Sequence, residues 1–423
     1  LHAVIFYQVT KLSAEVNKKK IINDPVYGFL HIQSDLIFDI IQHPYFQRLR
    51  HINQLGMAEY VYPGARHTRF QHALGAMHLM NRVMESLKTK GVGISDEETE
   101  AAQLAVLLHD IGHGPFSHTL EEALLPGVKH ESISYVFMNK LNEEWSGRLD
   151  LALKIFRNAY PRKFFHQLVS SQLDMDRLDY LKRDCFFTGV EEGTIGVDRI
   201  IAMLNVHNEE LVVEEKGIYN IENFITARRL MYWQVYLHKT SVAAERMLVN
   251  TIKRARVLLQ AGERVASSNA LQFFLAGSYT ITDFSKHSDV AINFGKLDDH
   301  DIWGALKMWQ NHSDKILAQL SSALLQRRLF QIKFSNEAIK KETIEKVKQA
   351  VAEHYQLLNS ETAYFVSFGS VSNEAYTEGQ KINLLMKDGR LVDIAQASDL
   401  PNIQALSKTV KKNYLCWPKN VYL

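Results

Sequence analysis

Cysteine is almost absent from this sequence: 423 residues contain two, Cys185 and Cys416. That excludes a disulfide framework and a cysteine-based zinc site. Long apolar runs are also missing. The longest, Leu104–Leu108 with Ala101 and Ala102 just upstream, falls far short of the roughly 20 residues a spanning helix needs, so no membrane crossing is expected. Charge of either sign is not in excess, with Lys+Arg 49 against Asp+Glu 47 and a formal net charge of +2. A surface that coats a nucleic acid needs a basic stripe, and this balance argues against one while leaving room for a local basic pocket. Pro 8 and Gly 21 are too few for collagen-like or proline-rich disordered chains.

What is present is ordinary globular material. Hydrophobic residues make up 46% and charged residues 23%, near the averages of about 45–50% and 25%. At about 150 residues per domain the length suggests two or three domains, or one large core with an appendage. Residues 1–10 show no basic n-region and no small-residue cleavage site, so they read as an early strand rather than a signal peptide. With two cysteines and no export signal, a cytoplasmic location is the expectation.

Most of residues 1–345 carry helical periodicity. Phe70, Leu74, Met77, Val83 and Leu87 repeat at three- and four-residue spacings. Further helical patterns cover Glu97–His109, Leu173–Asp184, Glu222–Leu259 and Trp303–Arg328, with breakers such as Pro63-Gly64 and Gly112–Pro115 between them. Leu211–Tyr219 reads as a hairpin, since β-branched runs flank Lys216-Gly217. After residue 345 the texture changes. Thr362–Phe368 alternates like a strand, and Ile382–Ile394 is a hairpin pattern around Lys387-Asp388-Gly389. Asn402–Lys411 looks helical and Tyr414–Trp417 strand-like. The expected fold is mainly α: a helical body over 1–345, with its functional core at about 45–185, and a small α+β C-terminal lobe over 346–423.

Histidine is unevenly spread. Seven of the 18 lie in the 64 residues from His67 to His130. At their centre an apolar helical pattern ends in His109-Asp110, and a glycine-rich turn leads through His113 to His118. An isolated His-Asp pair is more often a helix cap than a site. Here His72 lies on a preceding helical pattern, and Asp174, Asp176 and Asp179 follow on successive turns of another. Ionisable groups placed in a core are costly unless paired or metal-bound. A mixed nitrogen and oxygen donor set suits one divalent ion such as Mn, Fe, Zn, Ni or Mg better than a thiolate-seeking metal.

The order His72, His109-Asp110, Asp176 resembles the signature of the HD phosphohydrolase superfamily. Phe46–Arg50, Gln54-Leu55-Gly56, Pro63-Gly64-Ala65, His109–His118 and Asp176–Asp184 narrow the resemblance, which covers roughly residues 23–260. They are similar to blocks of the HD-domain deoxynucleoside triphosphate triphosphohydrolases, a family with dGTPase-like bacterial members and a vertebrate member that adds a SAM domain. The resemblance implies a helical HD core and a metal held by His72, His109, Asp110 and Asp176. It implies attack at the α-phosphorus, releasing a deoxynucleoside and inorganic triphosphate. It makes His118 the acid that protonates the leaving oxygen and Glu121, an aspartate in the vertebrate relative, its orienting partner. His113 and His130 would line the same pocket.

Arg69, Arg177 and Arg228 match phosphate-binding positions, where a planar guanidinium suits phosphate oxygens. Lys182 and Arg183 read instead as a solvated helix face. Gln54 and Asp184 match positions that contact the 3′-hydroxyl, Leu55 a position that excludes a 2′-hydroxyl, and Tyr180 and Tyr236 positions that pack on sugar and base. The stretch Ile41–Pro44 lacks the carboxylate with which the vertebrate relative reads a guanine activator, although Gln47 and Arg50 leave room for a regulatory nucleotide. Dimers or tetramers are implied by the same resemblance. Two alternatives stay open from the sequence. One is an HD phosphohydrolase acting on another nucleotide phosphoester, and the other is a catalytically silent nucleotide-sensing scaffold.

Overall fold

The computed structural model describes residues 20–373, 381–400 and 410–422. The protein is mainly α, as its periodicity predicts. Its central helix, Arg69–Thr89, is buried along most of its length and packs against helices Asp96–Leu107 and Met175–Thr188 on its two sides. The local sequence explains the ends of these elements. Thr68 donates its backbone N–H to the Gln71 side chain (2.9 Å) at the start of the first. Ser95 and Glu98 form a reciprocal capping box that opens the second, with hydrogen bonds of 3.1 and 2.8 Å. Asp174 caps the third by accepting the Arg177 backbone N–H (2.7 Å), and Gly189 ends it at φ +72°.

Two long helical patterns are each divided in the structure. Glu222–Leu259 becomes Ile218–Met231, a wider turn over Tyr232–Tyr236, and Lys239–Gln260, with His238 capping the last through its ring. Trp303–Arg328 becomes Asp299–Trp309 and Lys315–Leu325, because Asp314 starts a new helix by accepting the Leu317 N–H (2.8 Å). The hairpin expected around Lys216-Gly217 lies one strand earlier. Leu204–His207 pairs with Glu210–Glu214 through a turn at Asn208 and Glu209, both at positive φ, while Glu215–Gly217 leads into a helix. Val212-Val213 is strand as expected, but Ile218-Tyr219 begins a helix, and the turn is made at Asn208 and Glu209 rather than at the glycine.

Among the described residues three small sheets accompany the helices. Lys20–Asp24 pairs with Gly28–Ile32. Glu210–Glu214 adds Asn383–Leu385 in parallel, which pairs in turn with Leu391–Asp393; this is the hairpin expected around Gly389. Val410–Trp417 lies between Gln331–Ser335 and Ser367–Asn373, so strands from before and after residue 345 share both of the larger sheets. The alternating Thr362–Phe368 segment is instead the end of a 3-10 turn, Asn359–Tyr364, with strand only from Ser367. Lys411 is strand rather than helix, whereas residues 402–409 and 1–10 lie outside the described residues. Among the described residues no helix is long and apolar enough to cross a membrane.

A buried ion-pair chain fixes the central helix to its neighbours. Arg183 is fully buried rather than solvated, donating to Asp179 (2.9 and 3.0 Å) and to Asp24 in the first hairpin (2.7 Å). Gly75 is what lets the helices approach this pair. A Cβ there would sit 2.0 Å from Asp179 Oδ1 and 2.2 Å from Arg183 Nη2. Alanine gains about 1 kcal/mol of helix propensity over glycine. Gly75→Ala is nevertheless expected to destabilise the fold by about 2–3 kcal/mol in urea unfolding, because the new methyl drives a buried pair apart. A variant as stable as the parent contradicts this packing.

Candidate metal centre

The helix Asp96–Leu107 delivers His109 and Asp110 just beyond its C-terminal end. His109 Nδ1 lies 2.6 Å from the Val106 carbonyl, so it carries the proton and donates it there. His72, fully buried on the central helix, places its Nδ1 2.7 Å from Asp179 Oδ2. Both histidines are therefore oriented by their Nδ1 atoms, leaving two Nε2 lone pairs. These point at oxygens that also carry lone pairs. His72 Nε2 is 3.1 Å from Asp176 Oδ1 and 3.9 Å from Asp110 Oδ2. His109 Nε2 is 3.2 Å from Asp110 Oδ1 and 3.5 Å from Asp176 Oδ1.

Neither Nε2 has a hydrogen-bond partner among the described residues. Acceptors converging without a donor call for a cation, and the His72, His109 and Asp176 donor atoms lie within 4.8 Å of one another. The electrostatics show the same demand for positive charge: burial opposes a charge on His72, yet Asp176 and Asp179 push its pKa up to about 10, so without a metal ion a proton on the ring takes the cation's part. Burial would raise Asp176, but His109 and His72 hold it well below the usual carboxylate range. His72, His109 and Asp176, up to 104 positions apart, thus form a set that could hold a divalent ion, and Asp110 borders it with an oxygen 3.2 Å from His109 Nε2.

The turn after Asp110 is bent by specific contacts. The Gly112 N–H donates to Ser134 Oγ (2.9 Å), whose hydroxyl donates to the His109 carbonyl (2.7 Å). Phe116 and Ser117 both take positive φ, at +53° and +51°, a costly conformation for non-glycine residues. Three fastenings hold them. Arg69 donates to Ser117 Oγ through Nε and Nη2 (2.9 and 2.7 Å) and also pairs with Asp110. Arg48 donates to the Ile111 and Leu297 carbonyls, both at 2.9 Å. The buried Asp299 accepts the Phe116 N–H (2.8 Å) and the Asn53 N–H (2.9 Å), tying the turn to the loop that carries Gln54 and Leu55.

The helix His118–Leu124 starts from this turn. His118 is the exposed member of the cluster, its side chain 69% accessible, with Nδ1 3.3 Å from Glu121 Oε2. Glu121 Oε1 accepts the His130 backbone N–H (2.6 Å), so one carboxylate orients His118 from a fixed point. Burial disfavours its charge, but His118 and His130 hold it far below the usual range. The His113 ring stacks on His130, with centroids 3.8 Å apart, and burial beside Arg69 lowers the His113 pKa, keeping it neutral.

A cavity of about 540 Å³ opens over the cluster. Its lining brings together Gln54, Leu55, Arg69, Asp110, His113, His118, His130, Asp176, Arg177, Tyr180, Asp184 and Tyr236. His72 and His109 lie beneath it. Arg228 is not on its wall; buried, it donates to Gln172 Oε1 (2.8 Å). Tyr236 donates to Asp184 Oδ2 (2.7 Å), and His67 Nε2 lies 2.7 Å from Asp184 Oδ1. Gln47 Nε2 donates to the Ile41 carbonyl, and Arg50 lies over the Phe70 ring, 3.6 Å from its centroid. Sequence reasoning did not single out Asp179, Ser117, His67 or Asp299 as parts of this arrangement. Asp179 was visible as one of three nearby carboxylates; Asp299, 183 residues from Phe116, left no local signal.

Comparison with known proteins places the chain among relatives. The HD domain family matches residues 69–183, and the HD associated region matches residues 195–269. The chain is 30% identical to the uncharacterized protein YwfO of Bacillus subtilis, across 97% of this chain and 94% of that protein. A phosphohydrolase crystal structure from Bacteroides thetaiotaomicron shares 52% identity at a TM-score of 0.91, covering 95% of this chain and all of that one. The human deoxynucleoside triphosphate triphosphohydrolase SAMHD1 is 28% identical over 57% of this chain and 45% of its own length.

Burial pushes Asp299 from the usual carboxylate range up to about 6, against the two backbone N–H groups that lower it. A raised native pKa means that the folded chain binds this proton more tightly than the unfolded chain. Its contribution is therefore fully present below about pH 4 and is lost as pH rises through about 6, by up to about 3 kcal/mol. Asp299→Asn should remove that component, so parent and variant stabilities, measured by urea unfolding, should change differently between pH 4 and 7. Parallel pH profiles contradict this assignment.

Proposed function

This chain belongs to the HD-domain phosphohydrolase family, and on that premise we propose that it hydrolyses deoxynucleoside triphosphates to deoxynucleoside and inorganic triphosphate. The observation that carries this reading is the cavity. It borders the His/Asp cluster, has the arginines Arg69 and Arg177 on its wall, and includes the polar group Gln54, Asp184 and Tyr236. A triphosphate carries close to four negative charges and needs such local cations, since the whole chain has a net charge of only +2.

A divalent ion on His72, His109, Asp110 and Asp176 would supply Lewis acidity and a water of lowered pKa. The remaining tasks belong to the chain's own side chains. Arg69, locked between Asp110 and Ser117, and Arg177, held by Asp174, direct guanidinium N–H groups to phosphate oxygens. Neutral His113 and its stacked neighbour His130 offer further ring contacts to the phosphates. Arg228 supports this end from behind the wall. His118, with Nδ1 turned to Glu121, presents Nε2–H to the leaving sugar oxygen and protonates it as the ester bond breaks. Asp184, fixed by His67 and Tyr236, and Gln54, whose Oε1 has no partner among the described residues, bind the 3′-hydroxyl. Leu55 crowds the 2′ position, and Tyr180 and Tyr236 pack on sugar and base, their rings edge to face at 6.0 Å.

The test is a product assay on all four deoxynucleoside triphosphates with added divalent metal, separating phosphate, pyrophosphate and triphosphate. Triphosphate with free deoxynucleoside is expected. His118→Ala should lower kcat by about 10²–10⁴ while KM stays near the parent value. Release of pyrophosphate or monophosphate, or inert protein across the panel, contradicts the proposal.

A further inference from the structure

A second group of metal donors lies away from the cavity. His51, Asp298 and His300 bring one ligand atom each to within 4.8 Å of one another, and none of the three is on the cavity wall. They come from two distant parts of the chain. His51 ends the 3-10 turn Arg48–His51, Asp298 caps the helix Asp299–Trp309, and His300 is the second residue of that helix. The His51 and His300 rings meet edge to face with centroids 5.2 Å apart, and His300 Nδ1 lies 3.4 Å from Asp298 Oδ1. What holds the two segments together is buried. Arg48 donates to the Leu297 carbonyl (2.9 Å), and Asp299 accepts the Asn53 N–H (2.9 Å). These bonds flank His51 on one segment and Asp298 on the other, so the donors stand on a backbone fixed from both sides. Asp298 is fixed further, since its Oδ1 accepts the His300 N–H (2.8 Å).

We propose that His51, Asp298 and His300 form a second divalent-cation site, for an ion of the zinc class, that clamps the Arg48–Asn53 segment to the start of the Asp299–Trp309 helix. Two imidazoles and a carboxylate suit a tetrahedral zinc ion with one position left to water, and nickel and copper accept the same imidazoles. Both rings are open to solvent, His300 being 73% accessible, so an ion reaches them without unfolding. Small ring rotations then bring the nitrogens to the usual zinc–nitrogen distance of about 2.0–2.1 Å. The helix N-terminus carries partial positive charge and opposes a cation, and the Asp298 carboxylate offsets it. Three partly exposed donors hold an ion less tightly than the buried centre, so this site fills when zinc is added rather than during purification. The clamp bears on the cavity from outside: the bridged segment leads into Gln54 and Leu55, and Asp299 holds the Phe116 turn.

The test titrates the full chain, as purified, with zinc and follows uptake by calorimetry and elemental analysis. The parent should take up one equivalent more than His51→Ala or His300→Ala, or bind it about 100-fold more tightly. Losing a ligand costs at least as much as losing an outer-shell partner, itself worth about 10–100-fold. Asp298→Asn keeps a helix-capping side chain and removes the charge, so it should weaken zinc about tenfold or more at unchanged melting temperature. If an alanine variant does not fold, Asp298→Asn decides. Zinc should also raise the melting temperature of the parent and not that of the alanine variants. His109→Ala, which disables the buried centre, should still take up the equivalent that His51→Ala loses. Equal uptake and affinity in the parent and all three site variants overturn the proposal, as does loss of all added zinc in His109→Ala.

Discussion

A buried set of imidazoles and carboxylates that together demand a positive charge at one point is the constraint on which this structure turns. His72 and His109 are each held by a donated Nδ1–H, to a carboxylate in one case and a carbonyl in the other, and both are left pointing at carboxylates. Such an arrangement is unfavourable in an apolar interior unless a cation occupies it. Much of the surrounding fold keeps those four side chains from relaxing apart. Asp179 orients His72 from one side while being saturated by Arg183 on the other, and Arg183 is in turn anchored by Asp24. An N-terminal hairpin is thereby connected to the cluster through an unbroken series of buried ionic contacts.

The second dependency runs through backbone conformation. The cluster sits at a helix end, and His118 lies only eight residues beyond Asp110, so the chain must reverse sharply between them. Positive φ at Phe116 and Ser117 performs the reversal, and Arg69, Arg48 and Asp299 stabilise it from three separate elements. Arg69 has two jobs in this arrangement. It neutralises Asp110 and holds the turn, and its guanidinium also borders the cavity. The electrostatics of the centre and the placement of the exposed histidine are consequently not separable.

Much of this was legible in the sequence for identifiable reasons. Helix Arg69–Thr89 is marked by periodicity, helix Asp96–Leu107 by the apolar pattern that ends in His109-Asp110, and the density of histidines between His67 and His130 marks the cluster. The resemblance of whole blocks, rather than the bare His-Asp pair, is what points to Asp176. Helical period alone did not reveal where long patterns break, because the interruptions at Leu237-His238 and at Asp314 are made by caps that fit an apolar repeat. Arg183 looked like a surface charge since its buried partners, Asp179 and Asp24, include one 159 residues away. Asp299 escaped notice for the same reason: its partners are backbone groups, which leave no trace in residue identity.

The account stands most directly on metal content. Elemental analysis of the purified protein, paired with thermal unfolding before and after chelation, should find about one divalent ion per chain and a melting temperature that falls when it is removed. Protein that is metal-free under all loading conditions and unfolds at the same temperature with or without chelator would contradict it.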